Sequence, residues 1–113
     1  MSSSIRQQKV SSLLQKELAI IFQKESRNLF EGALITVTMV RMSPDLGFAK
    51  VYLSFFLTKD KEELLENIRS HNSKIRYELG HVVGKQLRVT PGLQFYHDDS
   101  LDYAQNIDDL LKK

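Results

Sequence analysis

Five residues of one segment are either basic or aromatic, and proteins use these two kinds of side chain together to bind RNA. They are Lys74, Tyr77, His81, Lys85 and Arg88. At about 100° per residue, the four basic members would fall within roughly 60° of arc on a helix, with the tyrosine beside them. Basic groups bind phosphates and an aromatic ring stacks on a base or sugar. The stripe is therefore a candidate RNA contact, although a solvent-exposed helix face has a similar composition.

A second basic stripe lies near the amino terminus. Lys9, Lys16 and Arg27 fall within roughly 20° of one another on a helical wheel, away from the apolar face. Lys9 and Lys16 are therefore further candidate RNA-binding residues. A solubilising outer face would also explain this stripe.

One segment could support metal chemistry. His97 and Asp98, followed by Asp99 and Asp102, offer imidazole and carboxylate ligands. Acidic residues at the start of a helix also complement the helix dipole, which explains them without a metal. The chain has no cysteine, and no second cluster of ligands or catalytic groups accompanies His97. We therefore predict no catalytic residue, metal site, cofactor or small-molecule substrate.

Length and charge describe one small globular domain. The chain has 113 residues, of which 42% are hydrophobic, so we expect a single domain over 1–113 with a core at about 5–98. Residues 1–91 carry a net charge of +5 and residues 92–113 a net charge of −3. The basic part favours a polyanionic partner. The first ten residues lack the apolar stretch of a signal peptide, so we expect a soluble protein without a membrane partner. The absence of cysteine favours the interior of a cell, and we expect a cytoplasmic monomer.

Hydrophobic periodicity and turn residues predict seven elements. They are a helix at 5–27, strands at 34–42 and 48–57, a helix opened by Asp60, a third helix ending at about Leu87, a strand at 93–97 and a last helix at about 100–111 capped by Ser100. This α-β-β-α-α-β-α order predicts an α+β fold, with helices on one face of a three-stranded sheet. A helix pair with a short interruption, packed on such a sheet, is the plan of a type II K-homology domain.

The two long strands are expected to form an antiparallel hairpin. Gly47 is expected to supply the positive φ of the turn. In the second strand, alternation predicts that one set of residues faces the core and that Tyr52 faces outward. The core-facing set is Ala49, Val51, Leu53, Phe55 and Leu57.

The helix pair is predicted to break at His71, Asn72 and Ser73. Asparagine and serine side chains compete for backbone hydrogen bonds there, and apolar spacing restarts at Ile75. Many K-homology domains clamp single strands with a Gly-X-X-Gly loop at this place, whereas this chain has no glycine between His71 and Lys74. The pattern favours binding to a structured RNA surface over binding of a few unpaired bases.

Short segments in a specific order resemble the ribosome-binding factor A family from about Ile5 to Leu111. They are 6–10 (RQQKV), 17–18 (EL), 35–38 (ITVT), 42–46 (MSPDL), 49–54 (AKVYLS), 75–76 (IR), 87–91 (LRVTP), 93–95 (LQF) and 98–100 (DDS). The resemblance aligns His71–Ser73 with the family's Ala-X-Gly interhelical kink. It implies a type II K-homology fold without enzymatic activity and a role in late maturation of the small ribosomal subunit. It also implies contact with the RNA of that subunit near its 5′-terminal helix and the decoding region.

Three hypotheses follow for function. The leading one is a non-catalytic RNA-binding assembly factor for the small ribosomal subunit. The second is a protein-interaction module that uses the exposed sheet face, including Tyr52. The third is a metal-dependent hydrolase that uses His97 and Asp98.

Overall fold

The structure, a computed structural model, describes residues 4–98. The helices are α1 (Ile5–Leu29), α2 (Lys61–Ser70) and α3 (Asn72–Val83), and the strands are β1 (Leu34–Met42), β2 (Phe48–Phe56) and β3 (Gly92–His97). This arrangement confirms the α+β class and the three-stranded sheet. The predicted helix at about 100–111, with its cap at Ser100, lies outside the described residues.

The long helix α1 begins at a complete capping box. The Ser4 hydroxyl oxygen accepts the backbone N–H of Gln7 at 3.1 Å, and the Gln7 side-chain oxygen accepts the backbone N–H of Ser4 at 2.9 Å. These bonds satisfy two N–H groups that a helix start otherwise leaves unpaired. Every third or fourth residue is buried against the sheet, namely Val10, Leu14, Leu18, Ile21 and Phe22.

The sheet has the order β1-β2-β3 and mixed strand directions. Strands β1 and β2 form the predicted antiparallel hairpin, and β3 pairs in parallel with β2. A parallel pair needs a long crossover, which α2 and α3 supply. A bulge between Val37 and Met39 shifts the β1 register, so that Ile35 and Val37 before it and Val40 and Met42 after it are all buried.

The hairpin turn differs from the prediction at its glycine. Leu46, with φ of 61°, takes the left-handed conformation expected of Gly47. Asp45 stabilises the turn, because its Oδ1 accepts the Ser43 hydroxyl at 2.7 Å and the Gly47 N–H at 2.9 Å. These hydrogen bonds, chiefly that from Ser43, hold the pKa of the Asp45 carboxyl below its ordinary value. Their stabilising effect is present at neutral pH and is lost as the pH falls through this lowered pKa.

The core side of β2 follows the predicted alternation except at Leu57. Ala49, Val51, Leu53 and Phe55 are buried as expected. Leu57 lies one residue beyond the end of β2, where a φ of 58° ends the pleat, and its side chain is 81% exposed. The alternation fails there because a side-chain period of two requires extended backbone.

Side chains of α2 and α3 bind the free edge of β3. Arg69 donates from Nε and Nη2 to the Phe95 carbonyl at 3.2 and 2.8 Å. Asn72 donates to the Leu93 carbonyl at 2.8 Å, and Arg76 donates to the carbonyls of Pro91 and Thr90. The two helices are therefore fixed along the outer edge of the sheet.

Replacing Arg69 by alanine should lower the free energy of unfolding by about 1–2 kcal/mol. The change removes two charge-assisted hydrogen bonds from an edge strand that pairs on one side only. Urea denaturation measures the effect, and Arg41→Ala, at an exposed position of β1, is the matched control. If Arg69→Ala and Arg41→Ala shift the midpoint of urea denaturation equally, the hydrogen bonds of Arg69 do not stabilise the edge strand β3.

Candidate nucleic-acid interface

The predicted stripe is divided between a helix and a loop. Helix α3 ends at Val83 and not at about Leu87, so Lys85 and Arg88 lie in the loop 84–91. The backbone N–H groups of Gln86 and Leu87 both donate to the Val83 carbonyl, which closes a turn after the helix. The loop returns against α3 at Gly80, where an added Cβ would lie 2.9 Å from the Thr90 hydroxyl oxygen. The predicted end of the third helix at about Leu87 is therefore wrong, and Lys85 and Arg88 are exposed residues of the loop.

Tyr77 and His81 line a groove between α3 and β3. The groove has a volume of about 800 Å³. The two rings meet edge to face with their centroids 4.6 Å apart, and Tyr77 is 68% exposed. An aromatic ring this exposed can stack on a base.

The groove contains a second exposed ring that the sequence analysis did not select. Phe48 begins β2, is 57% exposed and lies beside Gly92, whose missing side chain leaves room for the ring. Strand alternation carries the signal, because Phe48 belongs to the face opposite Ala49. The outward position of Phe48 could have been found from sequence, whereas its contact with Gly92, 44 positions away, could not.

Lys74 has a structural contact as well as exposure. Its Nζ lies 3.9 Å from Oε2 of Glu25, a residue of α1 that is only 6% exposed. A neighbouring pair, Lys24 and Glu78, joins the same two helices at 3.9 Å. A buried carboxylate without a cation is costly, so Lys74 helps to hold α3 against α1. The structure therefore gives this lysine a role that the sequence analysis does not foresee.

Arg6, near the start of α1, lies close to the loop that carries Arg88. Lys9 and Lys16 are exposed, off the buried face of α1. Arg6 and Arg88 line one cleft of about 360 Å³ at the start of α1. The structure thus places Arg6, about one helical turn before Lys9, next to Arg88, so the start of α1 and the loop 84–91 can contact one polyanion.

The interruption between the helices consists of a single residue. Helix α2 ends at Ser70, α3 begins at Asn72, and His71 lies between them with φ of −101° and ψ of 16°. The predicted break between the helices is present, but the hydrogen bonds around it differ from the predicted ones. Ser70 and His71 both donate to the Asn67 carbonyl, at 2.6 and 2.9 Å, while Asn72 reaches across to β3. Ser73 is exposed and lines the groove of Tyr77.

The residues of the alternative hypotheses lie elsewhere. Tyr52 is half-buried and stacks on Tyr96, with ring centroids 5.5 Å apart. Asp98 accepts the Thr38 hydroxyl at 2.7 Å, and the ring of His97 stacks on Phe55. Within residues 4–98, no three histidine or carboxylate side chains gather as metal ligands would, and no helix is long and apolar enough to cross a membrane. Asp99 and Asp102 lie outside the described residues.

Comparison with known proteins identifies the family. The model of the ribosome-binding factor A family matches residues 6–111 of the chain. The chain belongs to the ribosome-binding factor A family. A ribosome-binding factor A of Cytophaga hutchinsonii is 51% identical over 110 residues, which cover 97% of this chain and 83% of the relative. The resemblance read from the sequence is confirmed.

Solved structures of ribosome-binding factor A share the fold. The crystal structure of the factor from Thermus thermophilus has a TM-score of 0.68 at 24% identity, over 80% of this chain and 94% of that one. A homology model of the Thermus thermophilus ribosome binding factor A, as fitted into the cryo-EM map of a 30S complex with the factor, has a TM-score of 0.63 at 28% identity. It covers 79% of this chain and 91% of that one.

Proposed function

We propose that this member of the ribosome-binding factor A family is a non-catalytic RNA-binding factor for late maturation of the small ribosomal subunit. The match of residues 6–111 to the family carries the proposal. The fitting of a Thermus thermophilus relative into a 30S complex supports the choice of subunit. We also propose that the chain is a cytoplasmic monomer and that it folds as one domain over 1–113.

The proposed fold is of the type II K-homology kind. Two helices, separated by one residue, connect the parallel strands β2 and β3, and α1 and β1 precede them. The proposed RNA surface comprises the outer side of α3, the loop 84–91 and the exposed side of α1. It contains Lys9, Lys16, Lys74, Tyr77, His81, Lys85 and Arg88, with His71, Asn72 and Ser73 as the interhelical kink.

In the proposed mechanism, charged side chains bind phosphates and aromatic rings stack on bases. Lysine and arginine side chains displace counterions from phosphates, which supplies affinity without sequence preference. Tyr77 and Phe48 offer ring faces to bases that are unpaired at the surface of a structured RNA. The factor binds free or immature subunits near the 5′-terminal helix of the rRNA and the decoding region. It holds the RNA in a conformation that permits processing and then dissociates.

A salt series on purified small-subunit rRNA tests the proposal. If four of the five lysines and arginines of this surface contact phosphates, the affinity should fall about 50- to 150-fold as salt rises fourfold, because each contact contributes between about 0.7 and 0.9 to the slope of log affinity against log salt. Filter binding measures the slope. A protein-interaction module that docks through the sheet face at Tyr52 would bind this RNA weakly at every salt concentration. A change in affinity below about threefold would therefore refute RNA binding through phosphates.

A further inference from the structure

A cleft at the carboxyl end of α1 has chemistry opposite to that of the RNA surface. Its volume is about 780 Å³, and buried apolar residues form part of its lining, namely Phe30, Ala33 and Leu64. Four carboxylate residues also line it, Glu31, Asp60, Glu63 and Glu66, against one lining cation, Lys59. Glu66 is in addition paired with Arg69, outside the lining, at 3.0 Å. The four acidic residues are all exposed. A phosphate backbone would be repelled here, whereas a positively charged partner would be attracted.

Two exposed leucines stand beside this cleft. Leu57 lines it and also lines a neighbouring cleft of about 410 Å³ that includes Leu34. The side chain of Leu57 is 81% exposed and that of Leu34 is 52% exposed, although Leu34 belongs to β1. Leu57 therefore forms an apolar ridge between two depressions, a shape that a complementary protein surface can cover.

This surface is remote from the RNA contact proposed at Arg88, although Phe30 of its lining meets the ring of His71 edge to face at 5.9 Å. The cleft that Arg88 lines lies at the first residues of α1, whereas Phe30 immediately follows the last residue of that helix. A helix of 25 residues is about 37 Å long. A partner at Leu57 can therefore bind while the loop that carries Arg88 is occupied.

We propose that the Leu57 cleft, defined by the lining residues above together with Leu34, docks a basic, amphipathic segment of another protein. Apolar side chains of the segment cover Leu57 and Leu34, and its lysines or arginines meet the carboxylates of the rim. Charge complementarity selects this occupant, because the rim carries four acidic residues and one basic residue. A second copy of the chain would have to bring a basic apolar surface to the same place.

A labelled peptide of alternating lysine and leucine, about 12 residues long, is the probe. We expect it to bind the full chain, and expect Leu57→Asn and Glu63→Gln/Glu66→Gln each to weaken binding at least fivefold in fluorescence anisotropy. Asparagine tolerates the left-handed backbone at position 57, so the first variant should retain the melting temperature. Peptides that alternate lysine with serine or glutamate with leucine should bind at least fivefold more weakly than the probe.

Two matched variants test the specificity of the site. Ile20→Ser removes an exposed apolar side chain of α1, and Glu62→Gln removes an exposed carboxylate of α2, and neither residue lines the cleft. Both should bind the peptide as the unmodified chain does, and Leu57→Asn should leave rRNA binding unchanged. Equal losses in the matched variants, or no binding of the peptide, would overturn the proposal. So would a dimer in sedimentation velocity that Leu57→Asn dissociates, because the occupant would then be a second copy.

Discussion

Replacing Lys85 and Arg88 together by alanine should weaken binding to small-subunit rRNA about 60-fold at about 0.1 M salt. Each phosphate contact contributes about 0.9 to the slope of log affinity against log salt, which corresponds to about eightfold in affinity at that concentration. Both residues are exposed in the loop 84–91, so the melting temperature should change no more than it does for ordinary surface substitutions. Filter binding across a salt series measures the affinity and the slope together.

The matched control replaces Lys59 and Lys61, which precede and begin α2 at the other end of α1, by alanine. This pair removes the same charge from outside the proposed RNA surface, so the slope should be unchanged. An unchanged slope for Lys85→Ala/Arg88→Ala would move the contact to Lys9 and Lys16.

Replacing Lys74 by alanine should lower the free energy of unfolding by about 1–3 kcal/mol, whatever its effect on RNA. The change leaves the buried Glu25 carboxylate without the cation at 3.9 Å. Loss of one member of a fully buried pair costs about 3–5 kcal/mol, and the half-exposed lysine reduces this cost. Thermal and urea denaturation measure the change.

The double variant Lys74→Ala/Glu25→Gln separates the two roles of this lysine. A neutral amide is cheaper to bury than a lone carboxylate, so stability should largely return. RNA binding should remain weak if Lys74 also contacts a phosphate. Lys9→Ala, at an exposed position of α1, is the control for stability. If Lys74→Ala is as stable as Lys9→Ala, the Glu25 pair does not hold the two helices together.

Sequence patterns predicted the elements because their signals are local. The spacing of Val10, Leu14 and Leu18 defines the buried side of α1, and alternation defines the core side of β2 up to Phe55. The antiparallel hairpin follows from two strands joined by a short turn. The patterns failed where a contact between two segments accompanies the conformation. One example is the end of α3, where Thr90 of the following loop packs against Gly80 of the helix.

The candidate site was predicted less completely than the fold. Exposed charges could be placed, but the partner of Lys74 could not, because Glu25 is 49 positions away in the sequence. The break at His71 was located correctly, yet the predicted competition by Asn72 is replaced by a bond to Leu93 in β3. Ion pairs and hydrogen bonds between distant segments leave no periodic signal in one chain.

Sedimentation of a cell lysate through a sucrose gradient, with an antibody to this protein, tests the central claim most directly. A factor for late maturation must leave the subunit before translation begins. We expect the protein to sediment with free or immature small subunits at least about tenfold more than with complete ribosomes, which corresponds to about 1.4 kcal/mol of preference. A peak found only among translating ribosomes would contradict the account.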